Sequence, residues 1–367
     1  MMFLKLCTAA LLTGLCVTGV SGATNGAGSS ELVSADLLAK ADIETVWQVS
    51  LPLKSKERLG SIDALGDGVF ALTTTNYLFG LSAAGGEMRF ANRIAAQGLE
   101  LLPLDWSGDE LIVVTGSSMR MLDVKSGKEK RGPMKVPFGV VAKPATNDRF
   151  YYLAADDGKI YVYDANDRVL VFKAAADRGS LITNAVATNQ YVVFTTDKGA
   201  IIAMEPSKPA QMWRYDASGS IGGRITLDGG SVYVSSMDTN VYKFDAMTGK
   251  IVWNYMAGSQ LMEGPKVAAS AVYQFAGDNG IYAIDKKTGK VLWREKDGRD
   301  LLAEQKGKTY LMSKNQSLII VDNATGKRIG EVGLPGVDEW AAGVTEGMMY
   351  VGNAATGKIA CLKPIDR

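Results

Sequence analysis

Histidine is absent from all 367 residues. That removes histidine-based catalytic triads, histidine-ligated zinc, proximal-histidine haem and H-E-x-x-H sites from consideration. Cysteine is scarce: Cys7, Cys16 and Cys361 are the whole supply. An excess of charge of one sign is also missing, since 40 basic residues face 39 acidic ones. Binding nucleic acid rests mainly on neutralising phosphates, so no nucleic-acid partner is expected. Charged residues make up 22% and hydrophobic residues 47%, which fits neither a disordered chain nor a membrane bundle. Proline is rare, at 10, against 41 glycines, a balance that suggests many tight turns.

Residues 1–23 read as a signal peptide. Lys5 and the amino terminus supply the positive start, 6–20 the short apolar run, and Ser21-Gly22-Ala23 the small residues of a cleavage site. A retained anchor is the plain alternative, but Thr13, Gly14, Thr18 and Gly19 soften the run. Lipidation at Cys16 is a third reading, against which Leu15 stands where lipid processing wants a small residue. Removal of the peptide leaves no transmembrane span and one cysteine, Cys361, so no internal disulfide is available and stability must come from the core. Cys361 lies in an apolar run and reads as a small buried hydrophobe. Residues 24–43 read as a flexible linker, opening on Thr24-Asn25-Gly26-Ala27-Gly28. Leu37, Leu38 and Ala41 have helical spacing, so a short docking helix and a tether are both open there.

A repeat fills the remainder, 44–367. Asp245-Ala246-Met247-Thr248-Gly249-Lys250-Ile251-Val252-Trp253 returns as Asp285-Lys286-Lys287-Thr288-Gly289-Lys290-Val291-Leu292-Trp293. Anchored on that aspartate, the equivalent positions are Ser82, Asp123, Asp164, Glu205, Asp245, Asp285, Asp322 and Lys363, spaced by 41, 41, 41, 40, 40, 37 and 41. The anchor can open a turn, and the glycine four residues later supplies positive φ. An aromatic follows at anchor plus eight: Phe90, Phe172, Trp213, Trp253 and Trp293. The second and seventh copies lack it. Four short strands in about 40 residues describe one propeller blade. The eighth copy stops at its third strand, and 45–49, with Trp47, supplies a fourth. The expected fold is therefore all-β: an eight-bladed propeller of four-stranded antiparallel blades, closed by pairing 45–49 with 359–362.

Asp-x-x-Thr-Gly-Lys-x-x-Trp resembles the tryptophan-docking motif of the PQQ-like β-propeller family. Thr248-Gly249-Lys250 and Thr288-Gly289-Lys290 carry it fully, and Thr325-Gly326-Lys327 carries it without the tryptophan. The resemblance covers about 44–367 and implies structural docking for Trp47, Trp213, Trp253 and Trp293. Within the family, a lone eight-bladed domain behind a signal peptide is most similar to the scaffold subunits of outer-membrane β-barrel assembly.

Three sets of residues are candidates for function. Asp157, Asp197, Asp238 and Asp278, one per blade between the second and third strands, would ring one rim as cation ligands or merely build turns; their spread favours turns. Counting about 21 residues back from each anchor reaches the innermost strands and places Lys143, Asn184 and Arg224 on consecutive blades. There they could bind an anion or simply line a solvated pore. The inter-blade loops carry Lys54, Lys56, Glu57 and Arg58, then Arg93, Arg178 and Arg299, and Trp340 among acids; arginine and aromatics on a rigid rim suit protein partners.

The functional expectation is a non-catalytic, monomeric scaffold that binds envelope proteins, among them an outer-membrane assembly machine. It is expected to be exported to the periplasm or outer membrane, or secreted. A secreted carbohydrate- or peptide-binding propeller is the alternative. The family's enzymes need PQQ, calcium and long insertions, and about 40 residues per blade leave no room for insertions. No cofactor, no metal and no catalytic residue is therefore expected.

Overall fold

The computed structural model describes residues 31–343 and 347–365. The signal-peptide reading of 1–23, with Cys16, lies outside them. The local unit is a hairpin around an aspartate-led turn. Asp245 accepts the backbone N–H of Thr248 at 2.9 Å and its hydroxyl at 2.7 Å. Asp285 binds Thr288 in the same way (2.7 and 2.7 Å), as Asp322 binds Thr325 (2.8 and 2.6 Å). The anchor carboxylate thus folds its own chain back, and a residue in the left-handed region completes the turn.

Aspartate-led turns of this kind, at Asp123, Asp164, Asp245, Asp285 and Asp322, join the third and fourth strands in five of eight four-stranded antiparallel sheets. Blades one to seven span 59–93, 105–135, 145–175, 182–216, 226–256, 266–295 and 298–333. Blade eight takes Glu339–Ala342, Met349–Asn353 and Lys358–Pro364, and completes itself with Ile43–Ser50 from the other end of the chain. The register is Thr45 with Leu362, Trp47 with Cys361 and Val49 with Ile359. This is the closure expected from the sequence. Cys361 is fully buried, and burial pushes its thiol up to about 12, as suits a core residue.

Cores lie between blades as well as within them. The Trp47 indole donates to Ala83 O (2.9 Å), Trp213 to Ala246 O (2.8 Å) and Trp253 to Lys286 O (3.0 Å), in each case the residue after the next blade's anchor. All four docking tryptophans, Trp293 included, are 7–8% exposed. The turn glycine beneath each ring is required twice over. Gly289 has φ +71°, and a Cβ there would lie 2.7 Å from the Trp253 ring.

The linker boundary needs correction. The chain joins the fold from residue 31, because a short helix, Ala35–Ala39, buries Leu38 and the residues around it bury Val33. They pack with Leu334 and Val337 in the core that joins blades seven and eight. Of the two readings left open for this segment, the docking helix is the one observed.

Candidate functional site

The innermost strands of adjacent blades belong to separate sheets. Side chains bridge them instead. Asn184 donates to Gly222 O and Gly223 O (3.2 and 2.9 Å), Thr226 to Pro265 O (2.6 Å) and Lys266 to Leu301 O (3.2 Å), each reaching one blade forward. The carbonyls of an unpaired inner edge are thereby satisfied without narrowing the channel. Gly223 and Gly264 let two of these segments touch, since a Cβ on Gly223 would meet Gly264 N at 2.3 Å.

The channel holds a cavity of about 610 Å³. One wall is the backbone of Gly222, Gly223, Gly264 and Pro265; the other is Ile62–Leu65 with Trp340–Ala342. Three ion pairs fix most of the charge around it. Lys143 holds Asp105 at 2.7 Å, Lys266 holds Asp300 at 2.6 Å, and Arg299 holds Glu263 at 2.8 Å. Asp300 also receives the Trp340 indole N–H at 3.0 Å, so the ring is oriented from behind. Two charges remain over. Arg224 and Asp63 make no side-chain hydrogen bond or ion pair among the described residues, and both line the cavity. Burial raises the Asp63 pKa, while Arg224 and Lys143 pull it down. Beside it, Glu339 is pushed up to about 7 by burial, by Asp338 and by Asp63. Blades one and five are opposite in a ring of eight, so the channel has a negative side at Asp63 and Glu339 and a positive side at Arg224.

Of the channel residues expected from sequence, the structure leaves only Arg224 available. Lys143 and Asn184 are committed to neighbouring blades. Asp63, Lys266 and Trp340 were missed. Each stands two residues from a position reached by the repeat count (Ser61, Gly264, Ala342), so the alternation of strand side chains would have found them.

The rim set is dispersed. Glu57 is buried, accepting Thr73 Oγ1 at 2.6 Å and Lys54 N at 2.9 Å, and so shapes its loop. Lys54 and Arg93 converge on the Tyr77 ring, at 4.3 and 5.4 Å. Lys56 is exposed at φ +66°, and Arg58 lies 4.0 Å from Asp338. Arg178 is exposed in the loop between blades three and four. Two positions need correction. Arg299 lies in the strand Gly298–Gln305, stacked 4.4 Å over Phe275, because only Lys296 and Asp297 separate it from the previous strand. Trp340 lies in the strand Glu339–Ala342 on the channel wall, not in a loop. Three of the rim aspartates serve the backbone: Asp157 accepts Lys159 N at 3.1 Å and Asp238 accepts Asn240 N at 3.0 Å within their turns, while Asp197 accepts Leu181 N at 2.8 Å and Asp238 also Ser218 N at 3.1 Å from the inter-blade loops.

A family model described as outer membrane protein assembly factor BamB matches residues 197–336. Over that stretch the repeat is similar to PQQ-like, BamB-like propellers. The crystal structure of BamB from Moraxella catarrhalis superposes with a TM-score of 0.67 at 18% identity, covering 88% of this chain and 97% of that one. A computationally designed protein, Ika8, superposes at 0.69 with 14% identity, covering 87% and 99%. At these identities the structural likeness concerns the fold. No curated protein matches the chain. No described helix is long and apolar enough to cross a membrane.

Proposed function

We propose that this chain is a non-catalytic scaffold of the cell envelope that docks protein partners on the inter-blade loop face, in the manner of an outer-membrane assembly factor. The observation that carries the reading is the BamB repeat match over 197–336. The blades follow one another without inserted domains, which leaves recognition to loops on a rigid ring.

Three consecutive loops on that face each expose an apolar side chain: Leu99 (54%), Val141 (40%) and Leu181 (45%). Arg93 precedes the first, and Arg178 shares the third loop with Leu181. Apolar groups flanked by arginine form the kind of surface that anchors partners, and about 800 Å² on one partner would span these blades. Arg299 drops out of the patch, because it is tied to Glu263 within its own structure.

The experiment is affinity capture from envelope extracts, with partners identified by mass spectrometry. Arg178→Glu combined with Leu181→Ser should abolish capture while leaving the melting temperature unchanged. Undiminished capture, with loss instead on mutation of the Thr-Gly-Lys turns, would move the interface to the opposite face. Stoichiometric, calcium-dependent PQQ binding by calorimetry would replace the scaffold reading with the family's oxidative chemistry.

A further inference from the structure

The geometry points to a binding site for a small zwitterion, a free α-amino acid or short peptide, in the channel between Asp63 and Arg224. This site is independent of the scaffold reading and uses none of the loop residues assigned to it.

The argument begins with what is left unpaired. Lys143, Lys266 and Arg299 each have an acidic partner at 2.8 Å or less. Asp63 and Arg224 do not, although their charges act on one another across the cavity. Here they stand on opposite blades, held outside ion-pair reach by the width of the ring. A molecule carrying both charges would satisfy both ends at once: its carboxylate would accept the guanidinium fork, and its ammonium would donate to Asp63. Glu339, pushed up to about 7, adds negative potential on the ammonium side only as pH rises through that value. The volume, about 610 Å³, lies within the range of small-ligand pockets, about 300–1,000 Å³.

The walls suit the same class. Trp340 offers an indole face already oriented through Asp300 and Lys266, and Met262 and Pro265 add apolar surface. Gly222, where a Cβ would meet only Met262 O at 3.9 Å, leaves room for close approach of a ligand backbone. A ligand with an anion alone would leave the half-buried Asp63 without a partner, at a cost in binding energy, and a cation alone would forgo the charge-assisted bonds that the exposed Arg224 offers. An ammonium arriving at Asp63 would also offset the burial that raises its pKa, so binding in mildly acid buffer should release protons.

The test is calorimetry on the full chain, with L-phenylalanine, L-leucine and the dipeptide leucyl-phenylalanine as probes. Each is compared with its N-acetylated and its amidated analogue. At least one zwitterion should bind, and loss of either charge should weaken it tenfold or more. Asp63→Asn should erase the penalty for N-acetylation while keeping that for amidation, and Arg224→Gln should do the reverse. Trp340→Phe should abolish the ligand-induced change in indole fluorescence. The inference is overturned if no probe binds the unmodified protein, or if the blocked analogues bind as tightly as the zwitterions. The analogue comparison needs no variant, so it holds even if a substitution impairs folding. Partner capture through the loops should be unaffected, which separates failure of this site from failure of the scaffold reading.

Discussion

Arg131 donates to the carbonyl of Ala165 at 3.0 Å. Ala165 follows the anchor Asp164, just as Ala246 follows Asp245, so this bond takes the place of the docking indole's. A second bond runs from Arg131 to Asn166 O at 2.8 Å. Opposite it, Arg168 occupies the turn position held by glycine in other blades, at φ +56°. The two departures belong together. With no ring lying on the turn, a Cβ is tolerated there, and an arginine holds the seam between blades two and three. The Arg168 Nε and one terminal nitrogen are buried without a hydrogen-bond partner.

Exchange at this seam should be coupled. Arg131→Trp alone should destabilise, because the Arg168 side chain obstructs the ring's seat. Arg168→Gly in the same chain should recover that loss, with a coupling of about 1 kcal/mol or more in a denaturant double-mutant cycle. Additive single effects would mean that the two sites do not share a packing constraint.

The regular seams rest on Trp and Gly together. Trp253→Ala should cost about 3–5 kcal/mol, as loss of a buried aromatic does. Gly289→Ala should cost more than about 1 kcal/mol, since the added methyl meets both the positive φ and the Trp253 ring. Equilibrium unfolding measures both, and a neutral Gly289→Ala would show that the ring can shift away.

Deletion of residues 43–50 removes the outer strand of blade eight, with Trp47. The melting temperature should fall sharply, and the freed Lys358–Pro364 edge should promote association, visible by light scattering. A truncated chain that melts like the intact one would refute the closure.

Stability should depend on pH through Glu339. Its folded pKa, about 7, lies above the unfolded value, about 4.3, so its contribution is complete below the unfolded value and is lost as pH rises through 7. Glu339→Gln should therefore raise the melting temperature at pH 8.5 more than at pH 5.5. Asp245, Asp285 and Asp322 act in the opposite sense. Their threonine hydroxyls and backbone N–H groups hold them below the ordinary carboxylate range, so their contribution is lost in acid. An equal gap between Glu339→Gln and the parent at the two pH values would remove Glu339 as the cause.

The turns were legible in the sequence because their chemistry is local: Asp285, Thr288 and Gly289 act within five residues of one another. Ring closure was legible because an eighth copy lacked a strand and Trp47 marked a spare one. The channel was harder to read. A repeat count reaches the right strand but not the face of each side chain, so it found Lys143 and Asn184 and passed over Asp63 and Trp340. Arg131 escaped notice because the docking position was searched for aromatics, and a guanidinium makes the same bond with different chemistry. The buried helix at Leu38 follows a stretch of linker-like composition, which gave no sign of where packing begins.

The pairing of Ile43–Ser50 with Lys358–Pro364 has a consequence in time. The first strand is synthesised before any blade, yet its partner is made last. Until then the circle is open, with a bare ladder at each end. Joining the two ends carries the largest loop-closure cost of any contact in the fold, so it comes late in folding. The seal therefore works as a check on completeness: a chain cut short anywhere before residue 358 has no means of shutting, and it displays that fault as exposed strand.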